Sequence, residues 1–212
     1  MISIPTTNNT NYTYLALGDS YTVGESVSQK DSFPFQLVAL LNSLGRTFST
    51  APKIIAKTGW TTSELQNGIK LDNGVAPTYD VVTLLIGVNN QYRGNSIVDY
   101  RKEFKELLQT AINFAGGNKK HVFVISIPDW GVTAFGKASG RDQKIIAKEI
   151  DAFNAVNKEE TMAMGLSYTA ITPGSRIVAT DASLIANDGL HPSSKMYAEW
   201  AGALAPKIIG SF

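Results

Sequence analysis

Ser20 stands where an apolar run gives way to the polar stretch Gly18-Asp19-Ser20-Tyr21-Thr22-Val23-Gly24, and a serine there is either a turn residue or a nucleophile. A free hydroxyl is too weak an acid to attack an ester unaided, so the second reading needs a base. The chain offers two histidines. His121 opens an apolar run, which places it at the amino end of a strand and makes it a strand-edge side chain. His191 lies in the last polar stretch, Asn187-Asp188-Gly189-Leu190-His191-Pro192, just ahead of the final helical pattern. Asp188 precedes it by three residues. That spacing lets a carboxylate accept the imidazole Nδ1–H and leaves Nε2 to take a serine proton. Ser20, Asp188 and His191 are therefore the candidate catalytic residues, and Asp19 reads as a structural support of the turn.

Acyl transfer also needs donors set where negative charge develops on a tetrahedral intermediate. The backbone N–H of Ser20, the backbone N–H of Gly59 and the side-chain amide of Asn89 are the candidates. Gly59 has no Cβ to keep substrate from its backbone, although taken alone both it and Asn89 also read as ordinary turn residues. Tyr21, Trp60, Tyr92, Arg93 and Trp130 fall in the same polar blocks and are the candidates to line a substrate pocket; for each, loop packing is the competing reading.

The elements that must position these groups alternate along the chain. Apolar runs over 12–17, 53–57, 80–87, 121–127 and 166–171 predict five strands, with 80–87 continuous enough to be covered on both faces. Helical periodicity falls between them. One helix is expected over 33–44, with Pro34 in its first turn and Gly45 as its stop. Another is capped by Thr61 or Thr62 and carries Leu65 and Ile69. The clearest stripe joins Tyr100, Phe104, Leu107, Leu108, Ala111 and Ile112 within 97–115. Two further helices are expected, over 140–164 and from about Pro192 onward. Alternation of this kind predicts an α/β fold built on a five-stranded parallel sheet with helices on both faces. In such sheets the functional loops sit at the carboxyl ends of the strands, where every candidate residue above is found.

Composition narrows the classes. No Pro/Gly/Ser-rich linker splits residues 12–212, which read as one domain behind a polar tail at 1–11; a domain of this size buries about 70% of its unfolded surface. The net charge of +1, with no Lys/Arg run beyond two, argues against a nucleic-acid partner. No apolar stretch approaches the ~20 residues needed to span a bilayer. The amino-terminal residues lack the charged and apolar regions of an intact signal peptide, which fits a cytoplasmic protein or a mature exported one. Cysteine is absent, which excludes disulfides, thiolate catalysis and Cys-ligated metal. The chemistry suggested by Ser20, His191 and Asp188 requires no metal or organic cofactor. Nothing in the sequence speaks to oligomeric state.

The blocks together resemble the GDSL, or SGNH, hydrolases. Gly18-Asp19-Ser20 matches the nucleophile block of that family, Gly59 its glycine block, Gly87-Val88-Asn89-Asn90 its Gly-x-Asn-Asp block, and Asp188 with His191 its Asp-x-x-His block. The resemblance runs in order from 18 to 191 and extends into the residues after His191. It implies a three-layer flavodoxin-like fold and a serine esterase, lipase or acylhydrolase whose substrate is a small-molecule ester. Short acyl esters and acetylated carbohydrates are favoured, because no lid or long apolar insertion is visible. One position departs from the pattern: Asn90 stands where the family usually has Asp, so altered loop electrostatics with surviving hydrolysis are expected. No Gly-x-Ser-x-Gly elbow is present, against an α/β-hydrolase fold. Three other readings remain open at this point. An acyltransferase uses the same residues, a flavodoxin-like domain would hold a flavin phosphate on its first loop, and a catalytically silent relative would bind a glycan.

Overall fold

The longest apolar runs occupy the centre of one parallel sheet in the computed structural model, which describes residues 11–48 and 50–212. Strands β1 (Tyr14–Gly18), β2 (Lys53–Ala56), β3 (Val81–Leu85), β4 (Val122–Ile125) and β5 (Ser167–Thr169) lie in the order β2-β1-β3-β4-β5. This is the flavodoxin-like order, whose switch point lies between β1 and β3. Burial follows position. Every residue of β1, β3 and β4 is buried, whereas the edge strands β2 and β5 are mostly half-buried. Leu17 pairs with Leu84 on one side and Ile55 on the other, so the carboxyl ends of the three strands that carry the first functional loops are in register.

Nine helices connect and cover the strands among the described residues: α1 (Ser20–Val23), α2 (Phe33–Ser43), α3 (Thr62–Leu71), α4 (Val88–Tyr92), α5 (Ile97–Phe114), α6 (Ala134–Ala138), α7 (Gln143–Ala163), α8 (Thr172–Ser175) and α9 (Ser194–Ile209). α2 and α9 pack against each other on one face, while α3, α5 and α7 form a row on the other. The stripe on α5 is fully in the core, and Met196, Trp200, Leu204 and Ile208 of α9 are buried as well. None of the described helices is long and apolar enough to cross a membrane.

The strands are shorter than their apolar runs. Tyr12 leaves the sheet and bridges to Phe48, its ring packing against Phe48 and Phe212. Beyond Leu85, Gly87 adopts φ +130° and turns the chain into α4. The expected tail at 1–11 lies outside the described residues except for Asn11. Two short helices that no periodicity announces, α1 and α4, start directly after β1 and β3 and carry Ser20 and Asn89.

Candidate active site

Ser20 is the first residue of α1, immediately past the end of β1. The approach of chain to chain there is close: a Cβ on Gly18 would stand 2.1 Å from Thr22 Oγ1 and 2.5 Å from the Leu85 carbonyl oxygen, so only glycine fits. Asp19 caps α1, its Oδ1 accepting from the Tyr21 N–H at 3.0 Å. From this turn Ser20 Oγ reaches His191 Nε2 at 3.0 Å, and His191 Nδ1 lies 2.6 Å from Asp188 Oδ2. The other carboxylate oxygen accepts the backbone N–H groups of Leu190 and His191 at 2.9 and 3.0 Å, which anchors that oxygen to the loop. Partial burial works against charge on Asp188, but donors from Ser26, the His191 ring and those two backbone groups outweigh it and hold the carboxyl well below its usual range. An ionised Asp188 places the neutral imidazole's proton on Nδ1, leaving Nε2 as acceptor for the Ser20 hydroxyl.

His121 occupies the turn before β4, at the amino end of the sheet, with its ring 4.6 Å from that of Phe212. It takes no part in this cluster.

Across from His191 lie the candidate donors. Among the described residues neither the Ser20 nor the Gly59 N–H donates to a protein group. Gly59 holds φ +86°, the left-handed backbone expected of a glycine turn. Asn89 spends one amide proton on the Trp60 carbonyl at 3.0 Å, which anchors the side chain and leaves its second Nδ2–H for a ligand. The Gly59 turn is itself held. Arg93 Nη2 donates to its carbonyl at 2.6 Å, and Arg93 Nη1 pairs with both oxygens of Glu64 at 3.2 Å. Glu64 also completes a capping box with Thr61 at the start of α3. The Thr61 backbone bond, ahead of the Arg93 pair, keeps its carboxyl low despite some burial.

Asn90, where the family pattern has Asp, is buried and faces away from the cavity. Its Oδ1 accepts from the Thr62 N–H at 3.0 Å and its Nδ2 donates to Thr62 Oγ1 at 2.7 Å. The Thr62 hydroxyl passes its own proton to Glu103. The amide thus does what an aspartate would do at the Thr62 backbone but reverses the direction of the second hydrogen bond, and Glu103 takes up the proton that an aspartate would have accepted.

Ser20, Gly59, Asn89 and His191 all open on one cavity of about 170 Å³. Its remaining walls are mainly apolar, with Val88, Tyr92, Trp130, Phe135 and Leu190 facing inward. Of the five side chains expected to line a pocket, Tyr21, Tyr92 and Trp130 do so. Tyr21 is buried beneath His191, the ring centroids 5.4 Å apart, and Trp130 is fixed as a wall by Nε1–H donation to Gln91 Oε1 at 2.7 Å. Trp60 and Arg93 do not line it. The Trp60 ring lies on Gly68, whose missing Cβ leaves the space it fills, and Arg93 is engaged by Glu64 and Gly59. Val88 and Leu190, beside Asn89 and His191, and Phe135, between Ala134 and Gly136 in α6, also line the cavity and carried no sequence signal of their own. Ser26, which donates to Asp188 Oδ2 at 2.7 Å, was missed altogether.

Comparison with known proteins bears on the family and the fold. The profile of the GDSL-like lipase/acylhydrolase family matches residues 16–199. No curated protein sequence matches the chain. Among solved structures, a lipase/acylhydrolase from Enterococcus faecalis superposes with a TM-score of 0.71 at 20% identity, covering 94% of this chain and 96% of its own. Axe2, an acetylxylan esterase from Geobacillus stearothermophilus, gives 0.70 at 18% identity over 93% and 94%. TesA gives 0.69 at 16% identity over 94% and 99%. At these identities the three structures speak for the shared fold.

Proposed function

The chain belongs to the GDSL-like lipase/acylhydrolase family, and on that premise we propose that it hydrolyses short-acyl carboxylic esters through an acyl-enzyme on Ser20. The observation that carries the proposal is the unbroken relay from Ser20 Oγ through His191 to Asp188, at 3.0 and 2.6 Å, opening on a cavity that also holds Gly59 and Asn89. His191 Nε2 takes the Ser20 proton as Oγ attacks the ester carbonyl, and Asp188 stabilises the imidazolium that results. The Ser20 and Gly59 N–H groups and the free Asn89 Nδ2–H receive the oxyanion, each such donor being worth about 10²–10³ in rate. The imidazolium then protonates the departing alcohol. Water, deprotonated by the same nitrogen, attacks the acyl-enzyme, and Ser20 recovers its proton.

Size and polarity of the cavity support a short acyl group. An apolar cavity of about 150 Å³ accommodates a benzene-sized guest, so 170 Å³ with apolar walls suits an acyl chain of up to roughly six carbons. Tyr92 and Phe135, 47% and 38% exposed, leave ring faces at the mouth for the alcohol part of the ester. The test is a series of p-nitrophenyl acetate, butyrate and octanoate. Acetate and butyrate are expected to exceed octanoate at least about tenfold in kcat/KM, a difference of ~1.4 kcal/mol. A preference for octanoate overturns the size argument, and inertness towards all three overturns the esterase reading.

A further inference from the structure

Ser26 is the one non-glycine residue with positive φ among those described, at +65°. The ten other left-handed positions are all glycine, as expected where a Cβ is disfavoured. A serine at such a place keeps a conformation that glycine would adopt freely, and an outlier of this kind calls for a reason in the side chain. The reason is visible. Ser26 Oγ donates at 2.7 Å to Asp188 Oδ2, the same oxygen that receives the His191 Nδ1–H, across 162 residues of sequence.

Resting on the triad reading above, we infer that Ser26 is a positioning residue that holds the Asp188 carboxylate in the orientation His191 needs. The backbone makes this tether short and stiff. The carbonyl of Ser20 itself accepts the N–H groups of Gly24 and Glu25, at 3.0 and 3.1 Å, so the turn presenting Ser26 is built directly on the nucleophile. Asp188 lies on the other side, next to Gly189 at φ +70° in an exposed loop, where its side chain stays about one-third accessible to water. Without Ser26, Oδ2 would be oriented by the imidazole alone and open to solvent competition. Glu25 extends the arrangement, because its carboxylate accepts from the Thr58 hydroxyl beside Gly59. Consecutive residues of one turn thus reach both the acid loop and the Gly59 loop.

The test compares wild type, Ser26→Gly, Ser26→Asn and Ser20→Ala on p-nitrophenyl acetate, with thermal melts of each. Glycine removes the hydroxyl and relieves the left-handed backbone, which offsets its greater freedom in the unfolded chain. Asparagine tolerates the same backbone and returns a donor. Ser26→Gly is expected to lower kcat about tenfold, the effect of losing a charge-assisted hydrogen bond in part, with KM within about twofold and the melting temperature essentially unchanged. Ser26→Asn is expected to recover most of kcat. The inference is overturned if Ser26→Gly keeps kcat within about twofold of wild type, if Ser26→Asn recovers nothing, or if kcat and melting temperature fall together in both. Wild type inert, or no more active than Ser20→Ala, instead removes the triad reading and this inference with it.

Discussion

Replacing Asp19 by Asn tests whether the carboxyl beside the nucleophile is carried neutral. Asp19 is fully buried, with Oδ1 on the Tyr21 N–H and Oδ2 without a partner among the described residues. Desolvation pushes its pKa from 3.8 up to about 7, against the smaller opposing pull of the backbone bond. In the unfolded chain the group titrates near its ordinary value, about 3.9. Between those two values the folded protein binds the proton more tightly, so stability is greatest below about pH 4, falls as pH rises, and levels off above about 7. At about 1.36 kcal/mol per pH decade the whole effect is ~4 kcal/mol, of which roughly 2–3 kcal/mol falls between pH 5 and pH 8. Asp188, whose pKa is held low, contributes in the opposite sense, its stabilisation being lost only as pH falls below about 4, so it leaves this window alone. Urea unfolding at pH 5 and pH 8 reads the difference. Wild type should lose about 2–3 kcal/mol more than Asp19→Asn over that interval. Parallel losses in the two proteins would refute the reasoning and mean that Oδ2 is solvated and charged.

Two other substitutions address the loops around the cavity. Asn90→Asp sets two carboxylates, Asp at 90 and Glu103, against the single hydroxyl proton of Thr62; it should cost about 1–3 kcal/mol of stability at pH 7, and adding Glu103→Gln should recover most of that in urea unfolding. Arg93→Ala removes the donor to the Gly59 carbonyl together with a half-exposed ion pair. Stability should change by under ~1 kcal/mol, while kcat/KM on a short ester drops about threefold to tenfold, a split that steady-state kinetics and a melt would resolve.

Most of the sheet and the helices that cover it could be read from the sequence because their signals are long. The run 81–86 is apolar but for Thr83, and α5 repeats its stripe from Tyr100 to Ile112, over more than three turns. The four blocks of the site were legible for a different reason: each follows a strand at its carboxyl end, so a parallel sheet brings them to one rim. The helices α1 and α4 are too short to show a period. Arg93 and Trp60 were expected in the pocket on residue type, but what they do depends on Gly59, Glu64 and Gly68, partners that turn geometry brings near without any local pattern. Ser26 is the extreme case, since both its backbone conformation and its partner at 188 exist only in the folded chain. Asn90 was expected to alter the electrostatics of its loop; the hydrogen bonds that link it through Thr62 to Glu103 join three separate segments and have no local pattern in the sequence.

The central claim is that Ser20 Oγ, activated by His191, is the attacking atom. Treating the protein with diethyl p-nitrophenyl phosphate measures this directly, because attack forms an Oγ–P bond and expels p-nitrophenolate, whatever ester the protein acts on. We predict one equivalent of nitrophenolate and one phosphorylated peptide, containing Ser20, with labelling absent in Ser20→Ala and slowed at least about a hundredfold in His191→Ala. A label on another residue, or labelling unchanged in either variant, would contradict the account.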